Sequence, residues 1–294
     1  MEQEMPDLLW KEIIEDLFED FIKFFLPDLY SRIDFSQGYE FLDKELANIV
    51  DKTLKGKRMS DRLVKVYLED GTENWILAHL EVQGYKEKEF SERMFRYFYR
   101  IYDRYNKKIT ALAIFSEDNE GYKPNKFEYE FYGTKIDYQY NTYKILEQNE
   151  EELLASDNPF ALVVLAGLYA LEAKNEEQRR YKFKKKLFGL LINRGYERDK
   201  AYNIFQFLDG ILFLPTALEK EFQKNIVEII GGDDMGVKKE MTNLYQAGKE
   251  EGIKEGELKL VKNLLETDVE IDKIAEASGL SKEQIERIKE KSQH

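Results

Sequence analysis

No cysteine occurs among the 294 residues. That absence removes a disulfide framework, any thiolate metal site and a catalytic thiol, and it fits a reducing compartment. Histidine is nearly as scarce: of two, His294 is terminal, which leaves His79 as the imidazole set inside a patterned segment. No window reaches the roughly 18 uninterrupted apolar residues of a membrane span. The richest, Phe18 to Leu26, is broken by Glu19, Asp20 and Lys23. Met1 to Pro6 is acidic and lacks the basic region and apolar core of a signal peptide. The chain is thus expected to be cytoplasmic, with no membrane partner. What is present is core material: a 43% hydrophobic and 14% aromatic content is too rich for wholesale disorder. The length suits one large domain or two modest ones.

The net charge of −13 speaks at first against nucleic acid, but partners respond to local fields. Two segments invert the sign. Arg93 to Lys108 carries Arg93, Arg96, Arg100, Arg104, Lys107 and Lys108 against the single acid Asp103. Arg179 to Lys186 has six basic residues and no acid. Either alone is as readily a solvated helix face as a phosphate-binding surface.

Periodicity divides the chain. Leu8 to Leu26 repeats apolar residues at helical spacing, with an acidic outer side and Pro27 as its stop. A short helix is predicted around Leu42 to Val50. Arg62 to Leu68 and Trp75 to Val82 alternate as strands around Asp70-Gly71, a tight-hairpin signal. Ser91 to Tyr105 returns to helical period, Ile109 to Phe115 is a buried strand, and Phe127 to Tyr132 and Lys135 to Leu146 are further strands. This order predicts an α/β fold with a mixed sheet over 1–150. From Leu153 the β signal stops. Helices follow from Asn158-Pro159 to Ala173 and over 176–193, 198–213 and 217–230, giving a helical domain over 151–232. The tail, 233–294, begins with Gly248, Gly252 and Gly256 on one helix face and ends in a helix-turn-helix-like pair capped at Ser281. Its second helix mixes Lys282, Glu283, Glu286 and Arg287, which is no basic reading face. Docking, or a homo-oligomer formed through these C-terminal helices, is the better use.

Chemistry concentrates in the hairpin. His79, Glu81 and Gln83 share one strand face, as do Asp61, Leu63 and Lys65 on the other strand. If Glu69 pairs with Glu73 across a three-residue loop, Asp61 stands opposite Glu81. A strict two-residue turn puts them on opposite faces. Facing carboxylates repel unless a cation lies between them, and a hard divalent ion with oxygen ligands is the natural one. A polar face wetted by solvent would show the same pattern. His79, deeper in the strand, reads as a buried, hydrogen-bonded residue before it reads as a general base.

Several blocks in order make this pattern more specific: Leu42-Asp43-Lys44-Glu45-Leu46, Ser60-Asp61-Arg62-Leu63-Val64-Lys65-Val66, His79-Leu80-Glu81-Val82-Gln83, Glu92-Arg93-Met94-Phe95-Arg96-Tyr97 and Asn158-Pro159-Phe160-Ala161. With the glycine-spaced tail, they resemble the recombination-promoting nuclease and transposase family within the PD-(D/E)XK nucleases. The resemblance implies a restriction-endonuclease-like core followed by an all-α C-terminal region. It implies that Asp61 and Glu81 bind Mg²⁺, with Mn²⁺ as substitute, and that the Val82 carbonyl lies within reach of the ion. Gln83 stands where the superfamily usually has lysine; an amide orients water but cannot deprotonate it. Lys65 is a candidate replacement cation. Glu45 is a candidate additional acid, as are Glu12, Glu15 and Glu19 of the first helix. Arg93 and Tyr97, nearest the strand end, are the expected scissile-phosphate contacts, and Arg96 and Arg100 (with Arg104) form an adjoining basic stripe. The expected function is Mg²⁺-dependent DNA endonuclease activity in recombination or mobile-element handling. The alternative is a weak or inactive nuclease fold that binds DNA or protein through its C-terminal helices.

Overall fold

The computed structural model describes residues 4–49, 61–81, 90–119 and 121–229, with Val261, Leu265, Ile271, Ile274 and Ile285. The predicted first helix is broken in two. Helix α1 (Glu4–Asp16) stops at Leu17, whose backbone leaves helical geometry, and α2 (Phe18–Phe25) resumes beyond it. Pro27 then opens a further short turn, α3 (Pro27–Tyr30), because a first-turn proline lacks only a donor the helix would not use. Strand β1 (Tyr39–Phe41), not foreseen, precedes α4 (Asp43–Ile49).

The hairpin follows as β2 (Arg62–Tyr67) and β3 (Glu73–Glu81). Helix α5 (Phe90–Tyr105) leads to β4 (Lys108–Phe115). The stretch predicted as one strand from Lys135 to Leu146 is two. Strand β6 (Thr134–Gln139) pairs with β5 (Lys126–Phe131) in a separate antiparallel hairpin, whereas β7 (Asn141–Lys144) joins the main sheet. The main sheet runs β1-β2-β3-β4-β7. Its first three strands are antiparallel and β3, β4 and β7 are parallel, so the sheet is mixed, as expected for a restriction-endonuclease-like core.

Register assigns the two faces. Leu63, Trp75 and Leu77 pack with Leu42 and Leu46 of α4 and Tyr97 and Ile101 of α5. Farther along the same face, Ala111, Ala113 and Phe115 meet Phe90 and Met94 of α5 and Tyr138 and Tyr140. The opposite face carries Val64, Val66, Ile76, Ala78, Leu112 and Ile114, all buried. There Phe18 meets Tyr39, and Phe25 meets both Tyr143 and Phe160.

The all-α part comprises α6 (Glu150–Ala155), α7 (Pro159–Glu172), α8 (Glu177–Asn193), α9 (Arg198–Ile211) and α10 (Thr216–Ile229). Helix α7 starts where expected, with Asn158 accepting from the Phe160 amide at 2.8 Å and Pro159 in its first turn. Eleven successive residues, Pro159 to Tyr169, are buried, which makes it a central helix rather than an amphipathic one. Gly167 admits Trp10 of α1 against it; a Cβ there would stand 2.9 Å from the indole. Residues Met1–Ile230 form one compact unit. Gly231–His294 forms a second, in which Val261, Ile274 and Ile285 are buried together. The three-glycine stretch of the tail lies outside the described residues. No helix among the described residues is long and apolar enough to cross a membrane.

Candidate metal and nucleic-acid site

The hairpin turn decides how the expected site residues meet. Leu68 donates to the Thr72 carbonyl at 2.8 Å, so three residues, Glu69-Asp70-Gly71, form the loop. Gly71 takes φ +78°, the left-handed position such a loop requires. Asp70 ties the turn by accepting from the Thr72 amide at 2.8 Å and its hydroxyl at 2.6 Å. The loop has the parity that keeps Asp61 and position 81 on one face, but it sits one residue earlier than the Glu69–Glu73 pairing considered above. Tyr67 pairs with Glu73 and Arg62 with Ala78. Continued by one residue, that register sets Asp61 opposite His79, with position 81 the diagonal neighbour. Diagonal positions on one face of a sheet lie roughly 7–8 Å apart, a span one cation can bridge between two carboxylates. The side chain of Glu81, and all of Val82 and Gln83, lie outside the described residues.

The Asp61 carboxylate lies against His79, its Oδ1 facing Nδ1. On the far side of the ring, Arg93 Nη2 lies 2.9 Å from His79 Nε2. A guanidinium can only donate, so Nε2 accepts and the imidazole proton resides on Nδ1, facing the carboxylate. The three side chains are 8%, 1% and 4% exposed for Asp61, His79 and Arg93 respectively. Burial of the carboxylate is tolerable because the trio carries one negative and one positive charge. Phe90 closes the arrangement from below: its ring meets the imidazole edge-on at 5.1 Å and carries the guanidinium over its face at 4.9 Å.

With Nε2 turned to the guanidinium and a protonated Nδ1 turned to the carboxylate, the ring has no lone pair for a metal. What Asp61 offers is carboxylate oxygen, with about four acceptor positions of which the imidazole takes one. An oxygen set without imidazole or thiolate fits Mg²⁺ or Mn²⁺ rather than Zn²⁺. Among the described residues, no cluster of three His, Cys, Asp or Glu side chains is spaced for an ion.

The remaining candidates distribute as follows. Arg93 turns inward, as just described. Tyr97 is 3% exposed and packs its ring in the cluster with Leu42, Leu63 and Leu77. Arg96 is exposed with Glu92 at 2.5 Å, one helical turn back, and Arg100 is half-exposed. Glu45 is half-exposed on α4, the helix that covers the Asp61 face. Glu15 belongs to the opposite face, where it and Asp43 accept from the buried Arg62, Glu15 at 2.5 Å. Lys65 is bonded to Glu40, whose carboxylate raises the lysine above its ordinary value.

The sequence reading missed one pair altogether. Lys144, at the end of β7, is buried and bonded to buried Glu117, just past β4. Register places positions 81, 115 and 144 in one row across the parallel strands. Burial pushes the Lys144 ammonium down to about 8, against the raising influence of Glu147. No local signal marks this pair, because the strand split at Tyr140 that turns Lys144 inward is not written in the periodicity.

Residues 7–114 match the family described as "putative transposase, YhgA-like". The match runs from α1 almost to the end of β4, so the blocks from Leu42 to Tyr97 that carried the resemblance fall inside it. No curated protein and no solved structure matches the chain.

Proposed function

We propose that the unit over 1–230 is a Mg²⁺-dependent endodeoxyribonuclease. The supporting observation is the register that gives Asp61 and position 81 a common face, beside a histidine whose nitrogens are both spent. On this reading Asp61, Glu81 and the Val82 carbonyl hold the ion, and Gln83 orients water by hydrogen bonds. A bound Mg²⁺ supplies Lewis acidity at the scissile phosphate and lowers the pKa of water. Arg96 and Arg100, at the solvent side of α5, attract the phosphate backbone. The family match supports a transposase-related setting.

Asp61→Asn is the informative change. Its amide oxygen still accepts from His79 Nδ1, so the fold is spared the penalty of about 1–3 kcal/mol for an orphaned buried donor. Mg²⁺-dependent nicking of supercoiled plasmid should vanish while circular dichroism stays native, with melting lowered because the buried Arg93 guanidinium loses the Asp61 charge. Undiminished nicking by this variant rejects the assignment. The second reading, a nuclease-shaped binding module, draws on Gln83 standing where a lysine would assist catalysis. No heat on titrating Mn²⁺ into wild-type protein, together with DNA binding in EDTA, favours the module.

A further inference from the structure

We infer that His79 and Arg93 are positioning residues that fix the rotamer of the Asp61 carboxylate for the divalent cation, a role that rests on the nuclease reading above. The chain of contacts has a direction. Arg93 cannot accept a hydrogen bond, so its Nη2, 2.9 Å from Nε2, dictates which nitrogen of His79 keeps the proton. The proton on Nδ1 then faces Asp61 Oδ1. One oxygen of the carboxylate is thereby held, and the orientation of the other follows from the planar group.

Packing keeps the chain from relaxing. Phe90 is 1% exposed and wedged against Phe115 at 5.2 Å, and it touches both the imidazole and the guanidinium. A ring flip of His79 would carry its proton away from Asp61 and place a donor against a donor at Arg93. Such partners behind a ligand commonly alter metal affinity by 10–100-fold when removed. Arg93 thus acts through the imidazole, while Arg96 stays exposed on the outer side of the helix.

Three measurements on the full chain test this. With only two histidines, the ring nitrogens of His79 are assignable by comparison with a His294→Gln variant. Nitrogen-15 spectra of wild-type protein should show the proton on Nδ1; a proton on Nε2 overturns the inference without any change at the site. Mn²⁺ titration should give an affinity about 10–100-fold lower for Arg93→Met. His79→Asn, whose amide can replace the Nδ1 donor, should retain more affinity than His79→Leu. Unchanged Mn²⁺ affinity in Arg93→Met, with weaker DNA binding in EDTA, makes Arg93 a phosphate contact and sinks the positioning role alone. Wild-type protein that binds no Mn²⁺ removes the nuclease reading and this one together.

Discussion

The two basic segments look alike in sequence but are drawn into the fold to different degrees. Along α8, Arg179 pairs with Glu172 at 2.7 Å and Arg180 caps the carbonyls of Ala173, Lys174 and Phe213. Lys184, 1% exposed, is bonded to Asp209 at 2.5 Å and Glu219 at 2.9 Å. Lys186 meets Glu150 and the Tyr169 hydroxyl. Four of six cations thus tie α8 to its neighbours, leaving Lys182 and Lys185 exposed. In the other segment Arg93 turns into the sheet and Lys107 meets Glu73 of β3 at 2.5 Å, whereas Arg96 pairs with Glu92 of its own helix and Arg104 and Lys108 are exposed. A run of positive charge therefore says nothing of its use until the acids that other elements bring are known. Asp209, Glu219 and Glu150 come from 25 to 36 residues away.

The sharpest test of that contrast is Lys184→Ala. It leaves two carboxylates beside an emptied buried position. Breaking a fully buried pair costs about 3–5 kcal/mol, and because Asp209 and Glu219 keep 39% and 24% of their side-chain surface, about 2–4 kcal/mol is expected. Urea melts read this directly, and a loss under about 1 kcal/mol would mean that α8 is not an internal clamp. A smaller and different effect is expected from Arg96→Ala combined with Arg100→Ala. Stability should stay within about 0.5 kcal/mol. DNA affinity in EDTA should fall, and the log–log salt slope should flatten by roughly 2, near 0.9 per lost phosphate contact. An unaltered slope would remove α5 from the nucleic-acid surface. The smallest change belongs to Lys182→Ala with Lys185→Ala, which should move neither stability beyond about 0.5 kcal/mol nor DNA affinity at moderate salt. If this pair weakens DNA binding as much as the α5 pair does, the contrast between the segments collapses.

Legibility followed the range of the interaction. The hairpin at Asp70-Gly71, the helix from Pro159 and the strand ending at Phe115 depend on turn chemistry, capping and periodicity over a few residues, and these were readable. The break at Leu17 was not, since both halves keep an apolar face. Nor was the division at Tyr140, where continuous strand-like sequence serves two sheets because different partners claim each side of it. At the site, the shared face of Asp61 and position 81 was foreseen as conditional on the loop. The loop proved three residues long but shifted by one, and that shift brings His79 opposite Asp61.

By itself, then, the sequence determined an α/β sheet followed by helices, a hairpin bearing acids at fixed parity, and the matched segment in which they lie. Tertiary structure alone decided that Arg93 points at His79 rather than at solvent, that Lys144 finds Glu117, and that most of the α8 cations are consumed within the fold. The physical reason is common to all three. A side chain's secondary structure is set by neighbours along the chain, but a charge takes its partner from whatever group the packed elements bring within about 3 Å, and burial makes that pairing obligatory.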